Sequence, residues 1–214
     1  MYYAVIDEEF CNVVPCARTE QYKLKYELIQ IGVVLMDENF NVVSTFNEYI
    51  RPEHGYVDAY IRNLTGITQY TVSQSETLEN VLDHLKNWLP EDTVMVSWST
   101  SDLHQLKRET EQKNLNSAWL EALYEGWLDC QKEFSDRIEA DKVYKLEEAV
   151  NMAAIDAEGE FHNGFADAYN TAMIFKKLRT EDDFSMSDKY IKAKEEQESI
   201  GFSLGNLLSK LAIA

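Results

Sequence analysis

The chain has 214 residues, of which 45% are hydrophobic and 27% charged, and this composition excludes a collagen, a mostly disordered chain and a disulfide-stapled miniprotein. Its 38 acidic and 20 basic residues give a formal net charge of −18, which disfavours non-specific binding to long duplex DNA or to anionic membranes. Three cysteines, Cys11, Cys16 and Cys130, are too few for a disulfide framework and indicate free thiols in a reducing compartment.

The first fifty residues predict three β-strands. Residues 2–6 form a short apolar run that is typical of a buried strand. Residues 12–26 are polar and predict a loop. Residues 28–36 and 41–50 then predict an antiparallel pair, because the turn between them is too short for a crossover.

Helical periodicity begins after Ser73. The spacing of Ser73 and Glu76 predicts a capping box at the start of this helix. One apolar stripe follows, made of Leu78, Val81, Leu82, Leu85 and Trp88. The later segments predict strands over 93–98 and 127–129, and helices over 102–113, 131–140, 145–152 and 166–178. A strand, a helix and a further strand in succession imply a parallel neighbour. We therefore predict an α/β fold with a mixed five-stranded sheet flanked by helices.

The C-terminal segment differs in composition from the rest of the chain. We predict one domain over residues 1–180 and a C-terminal helical extension over residues 181–214. Four leucines share one face of this helix, Leu204, Leu207, Leu208 and Leu211. We expect the helix to dock on its own domain, with a homodimer or a protein partner as the alternative.

Carboxylates follow the first strand. Asp7 and Glu9 are two residues apart, so on a strand their side chains leave the same face about 6.5 Å apart. Two converging carboxylates suit a hard divalent cation such as Mg²⁺ or Mn²⁺. An acidic pair at the end of a strand is, however, more often only its solvated exit. Glu8 should face the opposite side of the sheet.

Two later segments add candidates for the same chemistry. Asp102 follows the strand over 93–98, at a place where ligands bind in α/β sheets, although an Asp in the first helical turn also stabilises the helix dipole. Five residues separate His162 from Asp167, a rotation of about 500° on a helix, so the two do not share one helix face. We expect His162 on a loop made flexible by Gly164, and Asp167 within the helix.

Taken in order, the segments at residues 5–10, at Asp102 and at 162–167 resemble the three motifs of the DEDDh exonucleases. These are the 3′→5′ exonucleases related to RNase T and to the proofreading subunit of bacterial DNA polymerase III. The similarity runs from Met1 to about Leu178. Within it, Leu64-Thr65-Gly66-Ile67-Thr68 is most similar to the histone-mRNA and small-RNA exonucleases and the KapD-like proteins. The chain departs from the family at Gln30, where Glu is common, and at Gly164, where Ala is usual.

The resemblance implies a ribonuclease H-like fold and a two-metal-ion mechanism. Asp7, Glu9 and Asp167 would hold one Mg²⁺ or Mn²⁺, Asp7 would bridge to a second ion, and Asp102 would support that second ion. His162 would be the general base. The product would be a nucleoside 5′-monophosphate.

The resemblance also implies that the substrate is the 3′ end of a single-stranded or short nucleic acid. Phe10 and the segment Leu64, Thr65, Gly66 and Ile67 would contact the terminal nucleotide, although Phe10 suits a core position equally well. Phosphates could bind Arg18, Lys23, Lys25, Lys107, Arg108 and Lys113, although such clusters are more often solvated surface.

The functional prediction is a metal-dependent 3′→5′ exonuclease with RNA slightly favoured. The alternatives are a DNA exonuclease for proofreading or repair, and a catalytically silent module that binds nucleic acid or protein. The N-terminus lacks a signal-peptide pattern and no apolar run reaches the ~20 residues of a membrane helix. We therefore expect a cytoplasmic protein without a membrane partner.

Overall fold

The structure, a computed structural model, describes residues 1–140, 142–188 and 190–191. Its strands are β1 (Tyr2–Val13), β2 (Tyr26–Met36), β3 (Val42–Tyr49), β4 (Gly55–Tyr56), β5 (Thr93–Ser97) and β6 (Leu128–Asp129). Its helices are α1 (Ala59–Thr65), α2 (Gln69–Ser73), α3 (Leu78–Trp88), α4 (Ser101–Gln112), α5 (Ala118–Tyr124), α6 (Cys130–Arg137), α7 (Leu146–Met152) and α8 (Gly164–Thr180).

The described strands form one mixed sheet of six, in the order β3-β2-β1-β5-β6, with β4 paired to the end of β1. The pairs β1–β2, β2–β3 and β1–β4 are antiparallel, and β1–β5 and β5–β6 are parallel. This confirms the predicted α/β class and mixed sheet. The predicted count of five strands omitted β4, whose two residues form a strand only through their pairing with Asn12 and Val13 at the end of β1.

The first strand is longer than predicted and extends through the carboxylates to Val13. Its pairing with β2 shifts between Glu9 and Phe10, because Glu9 lies opposite Gln30 whereas Phe10 lies opposite Leu28. This β-bulge leaves Ile29 of β2 without a partner in β1. Asp7 and Glu9 therefore lie inside a long central strand, where β1 is paired with β2 on one side and has passed the end of its pairing with β5 on the other.

Helices cover both faces of the sheet. One face packs against α6, α7 and α8 in a core that contains Val5, Val34, Phe134 and Phe175. The other face packs against α3, α4 and α5 around residues that include Ile6. A third, smaller cluster joins the end of β1 to α1 and α2, and it consists of Cys11, Ile29, Val57, Ile67 and Val72. The alternation along β1 follows from the two-residue period of a strand.

The predicted capping box was wrong. Ser73 is the last residue of α2, and α3 begins at Leu78 with Thr77 as its N-cap. The Thr77 side chain accepts a hydrogen bond from the Asn80 backbone N–H, so it supplies the cap that Ser73 was expected to give. Helices α1, α2 and α5 were not predicted, because five to seven residues are too few to show a helical period.

The start of the predicted C-terminal extension packs on the domain. The Ser187 N–H donates to the Met152 carbonyl at 2.8 Å, and the Phe184 ring lies 5.8 Å from that of Phe134. The predicted leucine face, Leu204 to Leu211, lies outside the described residues. Within the described ranges, no helix is both long and apolar enough to cross a membrane.

Candidate active site

Three carboxylates converge beside the centre of the sheet. Asp7 and Glu9 of β1 and Asp167 of α8 each bring a carboxylate oxygen within 4.8 Å of the others. Glu9 and Asp167 are both 8% exposed, and Asp7 is partly buried. The structure therefore brings together residues that are 160 positions apart in the chain, and it places Asp7 and Glu9 on the same face of β1, as alternation along a strand predicts.

Helix α8 reaches β1 through a close contact between two glycines. A Cβ atom on Gly32, which lies opposite Asp7 in the sheet, would be 2.4 Å from the Gly164 carbonyl carbon. A Cβ on Gly164 would be 3.2 Å from the Asp7 carbonyl oxygen. Gly164 is therefore a buried contact at the start of α8, and not the flexible loop position that the sequence suggested. A side chain at Gly32 would push Asp167 away from Asp7.

Gln30 fixes the start of α8. Its Oε1 accepts a hydrogen bond from the Gly164 backbone N–H at 3.1 Å, and its Nε2 donates to Asn47 at 2.9 Å. Because Gln30 is fully buried and pairs with Glu9 in the sheet, this amide links the first motif to the helix that carries Asp167. An amide can donate and accept at once, which the Glu that is common at this position cannot do when ionised.

His162 lies on the loop before α8, and Asp167 lies within the helix, as predicted. Asn163 caps α8 by accepting hydrogen bonds from Phe165 and Ala166. His162 is exposed and has φ +66°, a left-handed conformation that is uncommon for a residue other than glycine. Asp167 holds this loop, since its Oδ2 accepts a hydrogen bond from the His162 N–H at 2.9 Å. The other oxygen, Oδ1, is buried and has no hydrogen-bond partner among the described residues.

Asp102 approaches from α4. Its Oδ1 accepts a hydrogen bond from the Glu8 backbone N–H at 3.1 Å, so Asp102 is attached to β1 between the two carboxylates of the first motif. It is not one of the three residues that lie within 4.8 Å of one another. The negative charge of Asp102 still acts on the group, because it is the largest cause after burial that raises the pKa of Asp7.

Burial and mutual repulsion raise the pKa of all four carboxylates. Burial, together with the charges of Asp167 and Asp102, raises the pKa of Glu9 to about 8. Burial raises the pKa of Asp102 to about 7. The pKa of Asp7 is well above its usual value, because of burial first and then the charges of Asp102 and Asp167. Burial also raises the pKa of Asp167.

The charge of this site is not balanced by a lysine or arginine. None of the ion pairs found between described residues includes Asp7, Glu9, Asp102 or Asp167. The unpartnered Asp167 oxygen and the short distances between the three carboxylates fit a hard divalent cation, which takes oxygen ligands. The donor set therefore suits Mg²⁺ or Mn²⁺.

Glu8 is a buried carboxylate whose burial the sequence did not indicate. It is 3% exposed, faces the side of the sheet that α4 covers, and has no hydrogen-bond partner for either oxygen among the described residues. Burial first, and then the charges of Asp102 and Glu109, raise its pKa well above the usual value. The opposite orientation to Asp7 and Glu9 was predicted, whereas its complete burial depends on how α4 packs.

A cleft of about 320 Å³ lies between the end of α1 and the loop before α8. Leu64 and Thr65 line it on one side, and Asn163 and Phe165 line it on the other. The remaining predicted substrate contacts lie elsewhere. Gly66 is the left-handed cap of α1, Ile67 is 2% exposed in the small core, and Phe10 packs partly buried against the core beneath α3, α4 and α5.

The predicted phosphate contacts fall into two groups. Lys113 is not accessible, because its ammonium lies 2.9 Å from Glu27 and 2.8 Å from Glu109 and its side chain is 5% exposed. Arg18, Lys23, Lys25 and Arg108 are exposed, and Lys107 is partly exposed.

The chain is similar to known exonucleases. The RNase_T family model, described as "Exonuclease", matches residues 4–175. The rat 3'-5' exoribonuclease 1 is 23% identical over a 190-residue alignment that covers 83% of this chain and 52% of that protein. The zebrafish ERI1 exoribonuclease 2 is 29% identical over 182 residues, covering 72% of this chain and 32% of that protein. The chain thus spans about half, or less, of the length of these relatives.

A solved structure shares the fold. The nuclease domain of 3'hExo, a DEDDh family member that was crystallised bound to rAMP, superposes with a TM-score of 0.66. It is 20% identical and the superposition covers 87% of this chain and 96% of that domain. The structural similarity therefore extends over nearly the whole of that domain.

Proposed function

Since this chain belongs to the RNase T exonuclease family, we propose that it is a metal-dependent 3′→5′ exonuclease that releases nucleoside 5′-monophosphates from single-stranded or short nucleic acid, with RNA slightly favoured. The observation that carries the proposal is the group formed by Asp7, Glu9 and Asp167, whose oxygens lie within 4.8 Å of one another without a balancing cation from the described residues. A site of this kind needs a divalent ion before all its carboxylates can ionise at neutral pH.

The four carboxylates divide between two metal positions in this proposal. Asp7, Glu9 and Asp167 would hold one Mg²⁺ or Mn²⁺, Asp7 would bridge to a second, and Asp102 would support the second directly or through water. Bound there, the ions would stabilise the attacking and the leaving oxygen of an in-line displacement at phosphorus. Asp102 is already held at the site by the Glu8 N–H, so its position does not depend on a flexible loop.

His162 would accept the proton of the attacking water. Histidine exchanges a proton near neutral pH, and this residue is exposed on the loop that borders the cleft. The hydrogen bond from its backbone N–H to Asp167 would keep the base in a fixed place relative to the carboxylates. The proton would then leave to solvent from the exposed imidazole.

The cleft beside His162 would hold the terminal nucleotide. Leu64 and Thr65 offer an apolar and a polar wall. Phe10 does not line this cleft, because it packs against the core beneath α3, α4 and α5. Gly66 and Ile67 would act by shaping the end of α1. RNA is the favoured substrate because two relatives are named exoribonucleases and the 3'hExo domain was crystallised with a ribonucleotide. Three free cysteines fit a reducing compartment, for which we propose the cytoplasm.

The test is digestion of a 5′-labelled 12-nucleotide RNA and of the matching DNA, with Mg²⁺, with Mn²⁺ and with EDTA. We expect stepwise shortening from the 3′ end, nucleoside 5′-monophosphates by mass spectrometry, and no reaction in EDTA. His162→Ala should lower kcat about 10²–10⁴-fold. The control is His84→Ala, which removes a surface histidine of α3 that pairs with Glu48 of β3.

Equal activity of the His162→Ala and His84→Ala proteins would refute the role of His162. Faster digestion of DNA than of RNA would favour proofreading or repair over RNA processing. Absence of metal-dependent hydrolysis on both strands would favour the catalytically silent binding module.

A further inference from the structure

The start of α8 lies over the sheet between Asp7 and Asn47. Asp7 of β1 lies opposite Gly32 of β2, and Gly32 lies opposite Asn47 of β3. Residues directly opposite each other in antiparallel strands point to the same face, so Asn47 is on the face of the sheet that carries the carboxylates. Because Gly32 has no side chain, Gly164 fits above it, and a Cβ on Gly32 would be 2.4 Å from the Gly164 carbonyl carbon. Asp7 and Asn47 therefore flank the place where α8 begins.

The backbone N–H groups in the first turn of α8 need acceptors from outside the helix, because the first N–H groups of a helix have no partner within it. The Asn163 side chain accepts hydrogen bonds from Phe165 and Ala166. The Gln30 Oε1 accepts the hydrogen bond from Gly164 at 3.1 Å. Asn163 belongs to the loop that leads into α8, whereas Gln30 belongs to β2. The Gln30 hydrogen bond is therefore the one of these three that ties the start of the helix to the sheet.

The Gly164 N–H fixes the orientation of two side-chain amides. A backbone N–H can only donate, so the Gln30 atom that faces it must be the oxygen, Oε1. The nitrogen at the other end of this amide, Nε2, donates to the Asn47 Oδ1 at 2.9 Å. Gln30 is 0% exposed, and its Nε2 makes no other hydrogen bond among the described residues. We call Gln30 and Asn47 the amide pair.

Asn47 is the exposed member of the amide pair. It lies on β3, the strand at one edge of the described sheet, and its side chain makes no other hydrogen bond in the described part of the chain. Without the Asn47 oxygen, the Gln30 amide could turn over, and its NH₂ group would then face the Gly164 N–H, donor against donor. The Asn47 side chain therefore selects the one orientation of the Gln30 amide that accepts a hydrogen bond from α8.

We propose that Asn47 is a positioning residue for Asp167 and His162, and that it acts through Gln30. The N–H that Gln30 holds belongs to the first residue of α8, and Asp167 is in the same helical turn. Asp167 in turn holds the loop before the helix, since its Oδ2 accepts a hydrogen bond from the His162 N–H at 2.9 Å. Gln30 also lies opposite Glu9, so the amide pair sets the position of α8 relative to the carboxylates of β1. The inference rests on the proposed exonuclease function, which assigns the metal and the base to these residues.

The affinity for Mn²⁺ tests the proposal without a nucleic-acid substrate. Asn47→Leu keeps the size of the side chain, removes the acceptor and shields the Gln30 amide from water. It should raise the Mn²⁺ Kd about 10-fold in isothermal titration calorimetry, since residues that orient metal ligands typically contribute at least this much to affinity. It should also lower kcat on the 12-nucleotide RNA. Asn47→Asp keeps an acceptor oxygen and should restore both the Mn²⁺ affinity and kcat.

Thr45→Leu is the matched control, because Thr45 is also exposed and lies two residues earlier on the same face of β3. The second measurement is hydrogen exchange of the Gly164 amide, followed by nuclear magnetic resonance without metal. Loss of one hydrogen bond should make this exchange about 2- to 13-fold faster in Asn47→Leu. The rate should stay at the parent value in Asn47→Asp and in Thr45→Leu.

The outcomes separate this proposal from the exonuclease function. A Mn²⁺ Kd or a Gly164 exchange rate that stays at the parent value in Asn47→Leu overturns the proposal, even if the melting temperature falls, because a merely structural role would move only that temperature. An Asn47→Asp protein that behaves like Asn47→Leu overturns it as well. If the parent binds Mn²⁺ but hydrolyses no RNA, the exonuclease proposal fails and the Mn²⁺ comparison still decides the role of Asn47. If the parent binds no Mn²⁺, the metal-dependent function fails, and the Gly164 exchange rates decide whether Asn47 holds the start of α8.

Discussion

Two groups of buried acidic side chains touch β1 and β2, and only one of them has its own cation. Glu27 and Glu109 are both fully buried, and Lys113 lies between them at 2.9 and 2.8 Å. Asp7, Glu9 and Asp167 have carboxylate oxygens within 4.8 Å of one another, but no lysine or arginine of the described residues pairs with them. Burying a carboxylate is unfavourable unless it is paired, so the second group needs a cation from outside the chain.

The pKa values of Glu27 and Glu9 express this difference. Burial by itself would raise the pKa of Glu27, but the Lys113 charge and a hydrogen bond from Tyr22 bring it below its usual value. At Glu9 burial and the neighbouring charges act in the same direction, and the pKa rises to about 8. In the first group the Lys113 charge offsets the charge of the buried carboxylates, whereas in the second group the proposed metal ion would have to do so.

The largest expected effect comes from removing one carboxylate of the unpaired group. Asp7→Asn should lower activity at least about 10³-fold, because it removes the residue proposed to bind both ions. In the absence of metal the same variant should melt at a higher temperature than the parent at pH 8, since ionising Asp7 in this site is unfavourable. Activity assays and calorimetry in EDTA would show whether the two effects have opposite signs.

The control is Glu27→Gln, which removes a carboxylate from the paired group. It should leave Lys113 buried with one partner fewer and therefore lower the melting temperature, while Mn²⁺ binding by calorimetry stays the same. A stability loss of equal size in Asp7→Asn would contradict the distinction between the two groups.

Removing the internal cation should be the most damaging change for stability. Lys113→Met leaves Glu27 and Glu109 buried without their partner, which should lower the free energy of unfolding by about 3–5 kcal/mol. Lys132→Met is the matched control, because Lys132 pairs with Asp136 on the surface, where such pairs contribute about 0–1 kcal/mol. Urea titration would measure both, and similar midpoints for the two variants would show that Lys113 is not what keeps the paired group buried.

A smaller effect should appear when the pH is changed without metal. The raised folded-state pKa values, about 8 for Glu9 and about 7 for Asp102, mean that their contribution to stability is present below about pH 4 and is lost as the pH rises through 7 to 8. The melting temperature in EDTA should therefore fall between pH 6 and 8.5 by at least about 5 °C. Mn²⁺ should raise it more at pH 8.5 than at pH 6. A stabilisation by Mn²⁺ that does not change with pH would mean that the ion binds elsewhere.

The smallest effect is expected at the helix cap next to His162. Asn163→Ala removes the acceptor for the Phe165 and Ala166 N–H groups, which should cost about 1 kcal/mol. Because the loop carries His162, kcat should fall while Mn²⁺ affinity, set by the carboxylates, stays within experimental error. Asn163→Asp keeps a capping oxygen and should restore most of the stability; if it does not, the cap is not the reason for the loss.

The sequence indicated the site better than it indicated its surroundings. The alternation of Asp7, Glu8 and Glu9 and the spacing of His162 and Asp167 are local properties, so they could be predicted. The accessibility of Lys113 could not, because its two closest partners come from β2 and from the preceding turn of α4. The capping box at Ser73 failed for a related reason. Several residues near a helix start can cap it, and packing of the short helix α2 selected Thr77.

The single unpaired residue in β2, Ile29, sets which residues of β2 lie opposite the far end of β1. Without Ile29, the inward and outward side chains of β1 and β2 would stay in one register along the whole β1–β2 pair. The residues of β1 from Phe10 onward would then lie opposite different residues of β2. An insertion or deletion of one residue there would therefore change the far half of the hairpin while leaving Asp7 and Glu9 paired as they are. Length variation at this one position is a route by which related chains could keep the same carboxylate group and change the surface beyond it.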